Sequence, residues 1–338
     1  MQVVYSRNIN DAFLLGVDLL NRDHVIEESR AGKVYVHPEP VTTVYSKPKE
    51  RVLFNSERNA NPFFHFAEGL WMLTGKNDLK TMEYYNKRMA EYSEDGEILW
   101  GAYGWRWKSY FQFDQLELVI DKIINAYNKG VNERRLVLQM WDPKGDLPSR
   151  GPDVPCNTTI YFKMDIRRDT LDMTVCNRSN DIIWGAYGAN VVHMSMLHEY
   201  VARFSGLEVG KYYQVSNNFH SYVDKFNPLY EELEARDTFD FYTLRYLIDH
   251  NPYKIDKVKP FDMASNSISK ETWDKELNLL LEGKRSNFEE PFFELVAVPI
   301  LNSWDFYKRG QVDQAILEIQ DCHATDWCRA GLDWLSQK

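Results

Sequence analysis

Residues 153–181 read DVPCNTTIYFKMDIRRDTLDMTVCNRSND, and this stretch contains two adjacent runs with the period of a β-strand. In TTIYFKMDI (158–166) and TLDMTVCNRS (170–179), apolar and polar side chains alternate, which predicts two strands. A lone cysteine, Cys156, follows Pro155 at the start of the first run. Its thiol is either a small buried apolar group or a nucleophile held at a strand end, and these residues alone leave both interpretations open.

The rest of the chain mixes further strands with helices in no strict alternation. Amphipathic patterns with stop signals predict helices over 10–22 (capped by Asn10 or Asp11), 61–75, 116–130, 190–206 and 312–335. Strands are predicted over 134–141 and 211–223. This order predicts an α+β fold with a large mixed β-sheet flanked by helices. We expect residues 1–255 to form this domain and residues 256–338 to form a C-terminal helical extension packed on it.

Composition restricts the class of protein. The 338 residues carry a formal net charge of −10, which argues against a general nucleic-acid binder because phosphate contacts need Lys and Arg. No apolar stretch is long enough for a membrane span, and the N-terminus has no signal-peptide pattern. Four cysteines are too few for a disulfide scaffold, so a cytoplasmic location is expected. Cys322, His323 and Cys328 lack structural zinc spacing, so we expect helix packing there and no metal site.

Several arginines stand at junctions between loops and predicted strands. Arg30 precedes a glycine turn, Arg134 and Arg135 precede one strand, and Arg178 ends another. A guanidinium group binds phosphate through two parallel hydrogen bonds, so these positions suit a phosphate ligand. Each position alone is more typical of a surface salt bridge.

Three further polar residues stand in apolar surroundings. Glu68 lies on or beside the apolar face of the helix at 61–75, where a carboxylate is costly unless it is hydrogen-bonded or functional. His220 and Tyr222 point to the same face of a strand because they are two residues apart. They are either a satisfied core pair or a pair that binds a sugar hydroxyl.

The order of these segments resembles the folate-dependent thymidylate synthases and their nucleotide hydroxymethylase relatives, from about residue 10 to about residue 225. The segments that carry the resemblance are AEGLWMLTG (67–75), YGWRW (103–107), RRLVLQMWDP (134–143), PCNTTIYF (155–162), NRSND (177–181), NNFHSY (217–222) and, more weakly, SRAGK (29–33). The resemblance implies catalytic roles for Cys156 as nucleophile and for Glu68, Tyr103 and Asp181. Asp181 is also implied to contact the folate.

The resemblance also implies a set of nucleotide contacts. Phosphate contacts are implied for Arg30, Arg178, Ser179, Arg134 and Arg135. The last two would reach the partner's site in a homodimer, which requires isologous contacts. Sugar contacts are implied for His220 and Tyr222, and contact with the pyrimidine edge for Asn190.

The implied reaction starts with addition of the Cys156 thiolate to C6 of a pyrimidine nucleoside monophosphate. Addition makes C5 nucleophilic toward the one-carbon unit of 5,10-methylenetetrahydrofolate. Glu68 and Tyr103 would assist proton transfers through water, and such assistance is worth about 10²–10⁴ in rate.

The chain departs from the synthase pattern in several places. Asn157 follows the cysteine where synthases have histidine, and Asn190 stands one position later than the family's base-reading asparagine. A bulge at the helix start would restore its position, and an amide there favours uracil over cytosine. The shielding tryptophan has no clear match in NKRMAEYSEDGE (86–97), and the chain continues to GLDWLSQK (331–338) where synthases have a short apolar tail.

We therefore expect a one-carbon transferase that acts at C5 of dUMP and forms dTMP or 5-hydroxymethyl-dUMP. The alternative enzyme is a dCMP or CMP 5-hydroxymethylase, which the changed residue after the cysteine and the changed tail would suit. A different class is a non-catalytic nucleotide-binding or RNA-binding protein with the same fold. The joint presence of Cys156, Glu68, Tyr103 and Asp181 argues against it.

Overall fold

The computed structural model describes residues 1–255 and 257–338, so residue 256, the first residue of the expected extension, lies outside the described residues. The described strands are β1 (Gln2–Ser6), β2 (Val25–Ser29), β3 (Gly32–Val36), β4 (Val41–Tyr45), β5 (Val137–Gln139), β6 (Asn157–Asp165), β7 (Thr170–Asn177), β8 (Asn180–Asp181), β9 (Glu208–Ser216) and β10 (Phe219–Tyr222). The described helices are α1 (Ile9–Arg22), α2 (Pro62–Thr74), α3 (Leu79–Tyr85), α4 (Tyr103–Trp105), α5 (Gln115–Asn128), α6 (Asn190–Phe204), α7 (Val223–Glu234), α8 (Phe241–Asp249), α9 (Lys270–Leu281), α10 (Val298–Lys308), α11 (Val312–Gln320) and α12 (Thr325–Leu335).

The main sheet has six strands in the order β1-β4-β9-β7-β6-β5 and is mixed, so the predicted α+β class is confirmed. Strands β6 and β7 form the hairpin that the two alternating runs predicted, and β7 pairs with β9 on its other side. The register shifts between Asn157 and Thr159, which marks a β-bulge directly after Cys156. Bulges change the direction of side chains at the rims of sheets. This bulge lies at the start of β6, next to the predicted nucleophile Cys156.

A second sheet of four strands, β2-β3-β10-β8, lies beside the first. The prediction of one strand over 211–223 is wrong, because the chain leaves β9 of the main sheet and enters β10 of the small sheet. Backbone hydrogen bonds fix this crossing: Asn217 N donates to Asn177 O at 2.9 Å, and Asn180 N donates to Asn218 O at 2.9 Å.

Two other boundaries differ from the sequence predictions. The cap of α1 is Asn8, whose side chain accepts hydrogen bonds from the backbone N–H groups of Asn10 and Asp11. Asn10 and Asp11 therefore lie inside the helix, and their prediction as caps is wrong. The helical pattern over 312–335 is divided into α11 and α12, and the buried Cys322 lies in the connection with its Sγ 3.6 Å from Ala324 O.

The helix α2 is the central element of the helical layer. One face packs on α6, and α10 and α12 contact it as well. Gly69 allows the close approach of α6, because a Cβ at this position would lie 2.4 Å from Met196 Sδ. The end of the described chain belongs to this layer, since the Trp334 ring packs against Phe63 and Trp304. Each of the helices that the structure describes is too short or too polar to cross a lipid bilayer.

A buried ion pair ties the loop before Cys156 to the helical layer. Arg106 and Asp146 are fully buried, and the guanidinium group donates to both Asp146 carboxylate oxygens, at 2.6 and 2.8 Å. The same group also donates to the backbone oxygens of Trp100 and Met140.

We expect Arg106→Met to lower the free energy of unfolding by about 3–5 kcal/mol, because it leaves the Asp146 charge buried without its partner. Urea denaturation measures the change. The control is Arg22→Gln, which removes an exposed pair with Asp18 and should cost at most about 1 kcal/mol. Equal losses in the two variants would contradict the prediction.

Candidate active site

Cys156 is half-buried at the start of β6, and its thiol is free. Burial raises the pKa of this thiol, while the positive charges of Arg178 and, more weakly, Arg30 act in the opposite direction. Arg178 also shapes the loop before the cysteine, because its Nε donates to Pro155 O at 2.9 Å and its Nη2 to Val154 O at 2.8 Å. The charges of Asp153 and Asp181 add to the effect of burial, so the pKa of the thiol is raised in the free protein. The two guanidinium groups supply the positive charge that favours a thiolate.

Arg30 reaches the same loop from the small sheet. Its side chain is exposed, and Nη1 donates to Gly151 O at 3.2 Å. The structure thus brings Arg30 and Arg178, two of the predicted phosphate ligands, to one loop. Ser179 follows Arg178 in the turn from β7 to β8 and is half-buried.

The predicted sugar-binding pair lies on β10. His220 is paired in register with Asp181 of β8. The rings of His220 and Tyr222 meet edge to face with centroids 5.9 Å apart, as expected for neighbours on one strand face. Burial and the negative charge of Asp181 raise the pKa of the Tyr222 phenol, while a hydrogen bond with Ser29 lowers it.

Asp181 has one occupied and one unused carboxylate oxygen. Its Oδ1 accepts from the backbone N–H groups of Ile183 at 2.8 Å and Trp184 at 2.7 Å. Its Oδ2 is buried without a hydrogen-bond partner. Burial raises the pKa of this carboxyl, and the charges of His220 and Arg58 partly offset the effect. A buried acceptor without a partner is costly in the free protein, so it suits a ligand that brings an N–H group.

Asn190 begins α6 after an irregular segment. The preceding residues, 182–189, form wide helical turns, and Tyr187 and Gly188 leave the helical conformation (Gly188 φ −134°, ψ −117°). This irregularity lies at the helix start, where a bulge would restore the position of Asn190. The Asn190 side chain is buried, its Nδ2 donates to Asn180 Oδ1 at 2.9 Å, and its Oδ1 accepts from Asn157 Nδ2 at 3.2 Å.

Glu68 faces His193 across the contact between α2 and α6. Both residues are buried, and Glu68 Oε2 lies 3.6 Å from His193 Nδ1. The edge of the His193 ring meets the Tyr103 ring with centroids 5.6 Å apart. The Tyr103 hydroxyl accepts from the backbone N–H of Asn157 at 3.3 Å, which links it to the residue after the cysteine. Burial raises the pKa of Tyr103, so its phenol stays protonated.

Arg134 and Arg135 lie apart from these residues. Both are exposed in the loop before β5, and Arg135 forms an ion pair with Glu133. The next residue, Leu136, accepts a hydrogen bond from Phe162 N. Phe162 is six residues along β6 from Cys156, which corresponds to roughly 20 Å. The structure therefore does not bring these two arginines to the Cys156 of their own chain.

Comparison with known proteins identifies the fold. The family profile described as thymidylate synthase matches residues 51–270. The chain belongs to the thymidylate synthase family. The predicted family and the predicted class of enzyme, a transferase, are confirmed.

Individual members of the thymidylate synthase family extend the match. The chain is 43% identical to a deoxyuridylate hydroxymethyltransferase of Pseudomonas phage M6, over 100% of this chain and 95% of the relative. It is 35% identical to a deoxyuridylate hydroxymethyltransferase of Bacillus phage SP01, over 58% of this chain and 52% of that relative. The first similarity includes the C-terminal residues beyond 270, which the thymidylate synthase profile does not match.

Sequence reasoning missed His193 and Arg58. His193 stands three residues after Asn190 in a mostly apolar helix, and this spacing was the available signal. Arg58 donates through Nε to Ile183 O at 2.8 Å, and its guanidinium lies 5.0 Å from the centre of the Trp184 ring. Burial lowers the pKa of Arg58 to about 10. No sequence pattern marked this arginine, because its partners are distant in the chain.

Proposed function

We propose that the protein transfers a hydroxymethyl group to C5 of dUMP, with 5,10-methylenetetrahydrofolate as the source of the carbon. The observation that carries this proposal is the full-length similarity, at 43% identity, to a deoxyuridylate hydroxymethyltransferase. Residues 1–255 would form the catalytic unit, with the C-terminal helices as an extension that supports α2.

The hydrogen bonds of Asn190 favour uracil. Its Oδ1 lies within hydrogen-bond distance of Asn157 Nδ2 and His193 Nε2, while Nδ2 donates to Asn180. An amide oxygen has two lone pairs and an amide nitrogen has two hydrogens. The unused capacity of Asn190 is therefore one N–H donor. A donor suits O4 of uracil and does not suit the amino group of cytosine.

Cys156 would supply the nucleophile. In the thiolate form, Sγ adds to C6, the C5–C6 π electrons move to C5 and O4, and C5 becomes able to attack an electrophilic carbon. The bound folate supplies a one-carbon unit at the oxidation level of formaldehyde. Asp181 Oδ2, which lacks a partner, and the half-exposed ring of Trp184 beside it fit the N–H groups and the flat ring of a pterin.

Arg30, Arg178 and Ser179 would bind the phosphate. The two guanidinium groups now bond carbonyl oxygens of the loop before Cys156, and a dianionic phosphate is a stronger acceptor than a carbonyl. Their charges would hold the nucleotide beside the thiol. His220 and Tyr222 would then contact the sugar.

Arg134 and Arg135 would complete the site of a partner subunit. Their distance from the Cys156 of their own chain supports this role. The outer face of the main sheet offers a surface for a homodimer, since Tyr5, Val137 and Tyr161 are 74%, 42% and 48% exposed there. Exposed large apolar side chains on a sheet face are typical of a protein interface.

The test is incubation of the purified protein with 5,10-methylenetetrahydrofolate and, separately, dUMP, dCMP, UMP or CMP. We expect 5-hydroxymethyl-dUMP together with tetrahydrofolate from dUMP, measured by mass spectrometry of the nucleotide and by absorbance of the folate. Formation of dTMP and dihydrofolate would overturn the hydroxymethyl assignment. Faster turnover of dCMP or CMP would overturn the assignment of the base.

A further inference from the structure

His193 lies between the side chain proposed to read the base and the carboxyl proposed to transfer protons. It is buried on α6, 3% exposed, one helical turn after Asn190. Its Nε2 lies 3.0 Å from Asn190 Oδ1, and its Nδ1 lies 3.6 Å from Glu68 Oε2. A single imidazole therefore contacts both groups.

The hydrogen bonds around Asn190 determine which ring nitrogen of His193 carries hydrogen. Asn190 Nδ2 donates to Asn180 Oδ1, and Asn180 Nδ2 in turn donates to Ser216 Oγ. With Nδ2 turned toward Asn180, the Asn190 amide has its Oδ1 facing His193. Because an amide oxygen only accepts, Nε2 of His193 is the nitrogen that donates. In a neutral ring, Nδ1 then presents a lone pair to Glu68.

The contact between Nδ1 and Glu68 lacks a hydrogen bond. His193 Nδ1 and Glu68 Oε2 are both buried, and neither has a hydrogen-bond partner among the described residues. Two facing lone pairs repel each other, and burial removes the water that would otherwise satisfy them. A proton on either atom turns this contact into an attraction.

The other titratable groups around His193 bring no compensating charge. Burial lowers the pKa of His65, which faces His193 from α2, to about 3, so this ring is neutral at pH 7. Tyr103 faces His193 from α4, and burial raises the pKa of its phenol, so it is also neutral. The positive charge of Arg58 also acts to lower the pKa of His65. Glu68 is thus the acidic group in contact with the ring.

We propose that His193 is a positioning residue that fixes the Asn190 amide with its free N–H toward the pyrimidine, and that His193 and Glu68 together hold one proton. The first claim, the role of His193 in base specificity, is the specificity part and rests on the proposed function. The second claim, the shared proton, is the proton part; it concerns the free protein and does not depend on the proposed function.

Nitrogen-15 NMR of the histidine rings tests the proton part without any substrate. Comparison with His193→Gln assigns the His193 signals. At pH 7 we expect a hydrogen on Nε2 together with a hydrogen at Nδ1 that is fixed or exchanging with Glu68. In Glu68→Gln the amide can donate to Nδ1, so we expect Nδ1 to lose its hydrogen. A neutral His193 with a bare Nε2 would overturn the assigned tautomer, and a neutral ring with a bare Nδ1 whose signal is the same in Glu68→Gln would overturn the shared proton.

Competition between dUMP and dCMP tests the specificity part. We expect His193→Leu to raise the KM for dUMP and to lower the ratio of kcat/KM for dUMP over dCMP by at least about tenfold, because the Asn190 amide loses the nearer of its two donors and keeps only Asn157. His193→Gln keeps a side-chain N–H donor and should recover part of the ratio. An unchanged ratio in His193→Leu would overturn this part.

His198 provides the matched control on the same helix. It is buried, and its Nε2 lies 2.6 Å from Leu171 O, away from Asn190 and Glu68. His198→Gln should leave the dUMP to dCMP ratio unchanged. An equal fall in the ratio in both variants would indicate a general loss of packing and would overturn the specific role of His193. If wild-type protein used neither nucleotide, the proposed function would fail, while the NMR result would still decide the proton part.

Discussion

Replacement of Cys156 by serine is expected to lower kcat with dUMP by at least about 10⁴-fold. The structure holds this thiol beside Arg178, one of the groups proposed to bind the phosphate. A serine hydroxyl has nearly the same size but forms far too little anion near pH 7 to add to C6. Steady-state kinetics with dUMP and the folate measures the loss.

The control for Cys156→Ser is Cys328→Ser. Cys328 is half-buried on α12, in the C-terminal helical layer. We expect this variant to keep kcat within about threefold, because a small change at a partly exposed site has little effect. Binding of dUMP to Cys156→Ser, measured by calorimetry, checks that the site is intact. Turnover of Cys156→Ser within tenfold of wild type would show that another group is the nucleophile.

The rate of alkylation offers an independent measurement on the same thiol. Burial raises the pKa of Cys156, so the thiolate fraction in the free protein is small at pH 7 and grows with pH. Labelling by iodoacetamide should therefore accelerate by about tenfold for each pH unit below this pKa. A rate independent of pH would indicate a thiolate already formed, contrary to the raised pKa.

The sequence predicted the β6–β7 hairpin because local patterns and long-range packing agree there. The β6–β7 hairpin alternates apolar and polar residues, and each residue type also suits its environment in the sheet. The bend at Asn217 and Asn218 was missed, although Ser216, Asn217 and Asn218 interrupt the alternation with three consecutive polar residues. Only the hydrogen bonds to Asn177 and Asn180, forty residues away, divide the run between two sheets.

The candidate site also contains residues with a local sequence signal and residues that only distant contacts position. Cys156, Arg178 and Asp181 stand in short motifs whose positions follow from the ends of β6, β7 and β8. His193 escaped prediction because a histidine in an apolar helix gives no sign of which neighbour it contacts. Its neighbour Glu68 is 125 residues earlier in the chain, and the Gly69–Met196 contact that joins the two helices has no local signature.

The two sheets together explain why the candidate site lies where it does. Cys156 and Arg178 belong to the end of the main sheet, whereas Asp181, His220 and Tyr222 belong to the small sheet. The chain passes between the sheets at 177–180 and again at 216–219. Candidate side chains from both sheets therefore lie along one seam, and Glu68 approaches it from the helical layer.

Glu68→Gln is expected to lower kcat by about 10²–10⁴-fold, because the amide has the same shape but cannot accept and return a proton. The KM for dUMP should change much less, since the proposed nucleotide contacts lie on Arg178, Asn190 and His220. Steady-state kinetics separates the two constants.

The control for Glu68→Gln is another buried glutamate outside the site. Glu276 on α9 is 6% exposed and accepts from the backbone N–H groups of Glu289 at 2.6 Å and Glu290 at 3.0 Å. Glu276→Gln should lower the melting temperature, because one of these bonds is lost, yet keep the kcat of the folded protein. The reverse pattern, with Glu276→Gln impaired in kcat and Glu68→Gln within tenfold of wild type, would remove Glu68 from the reaction.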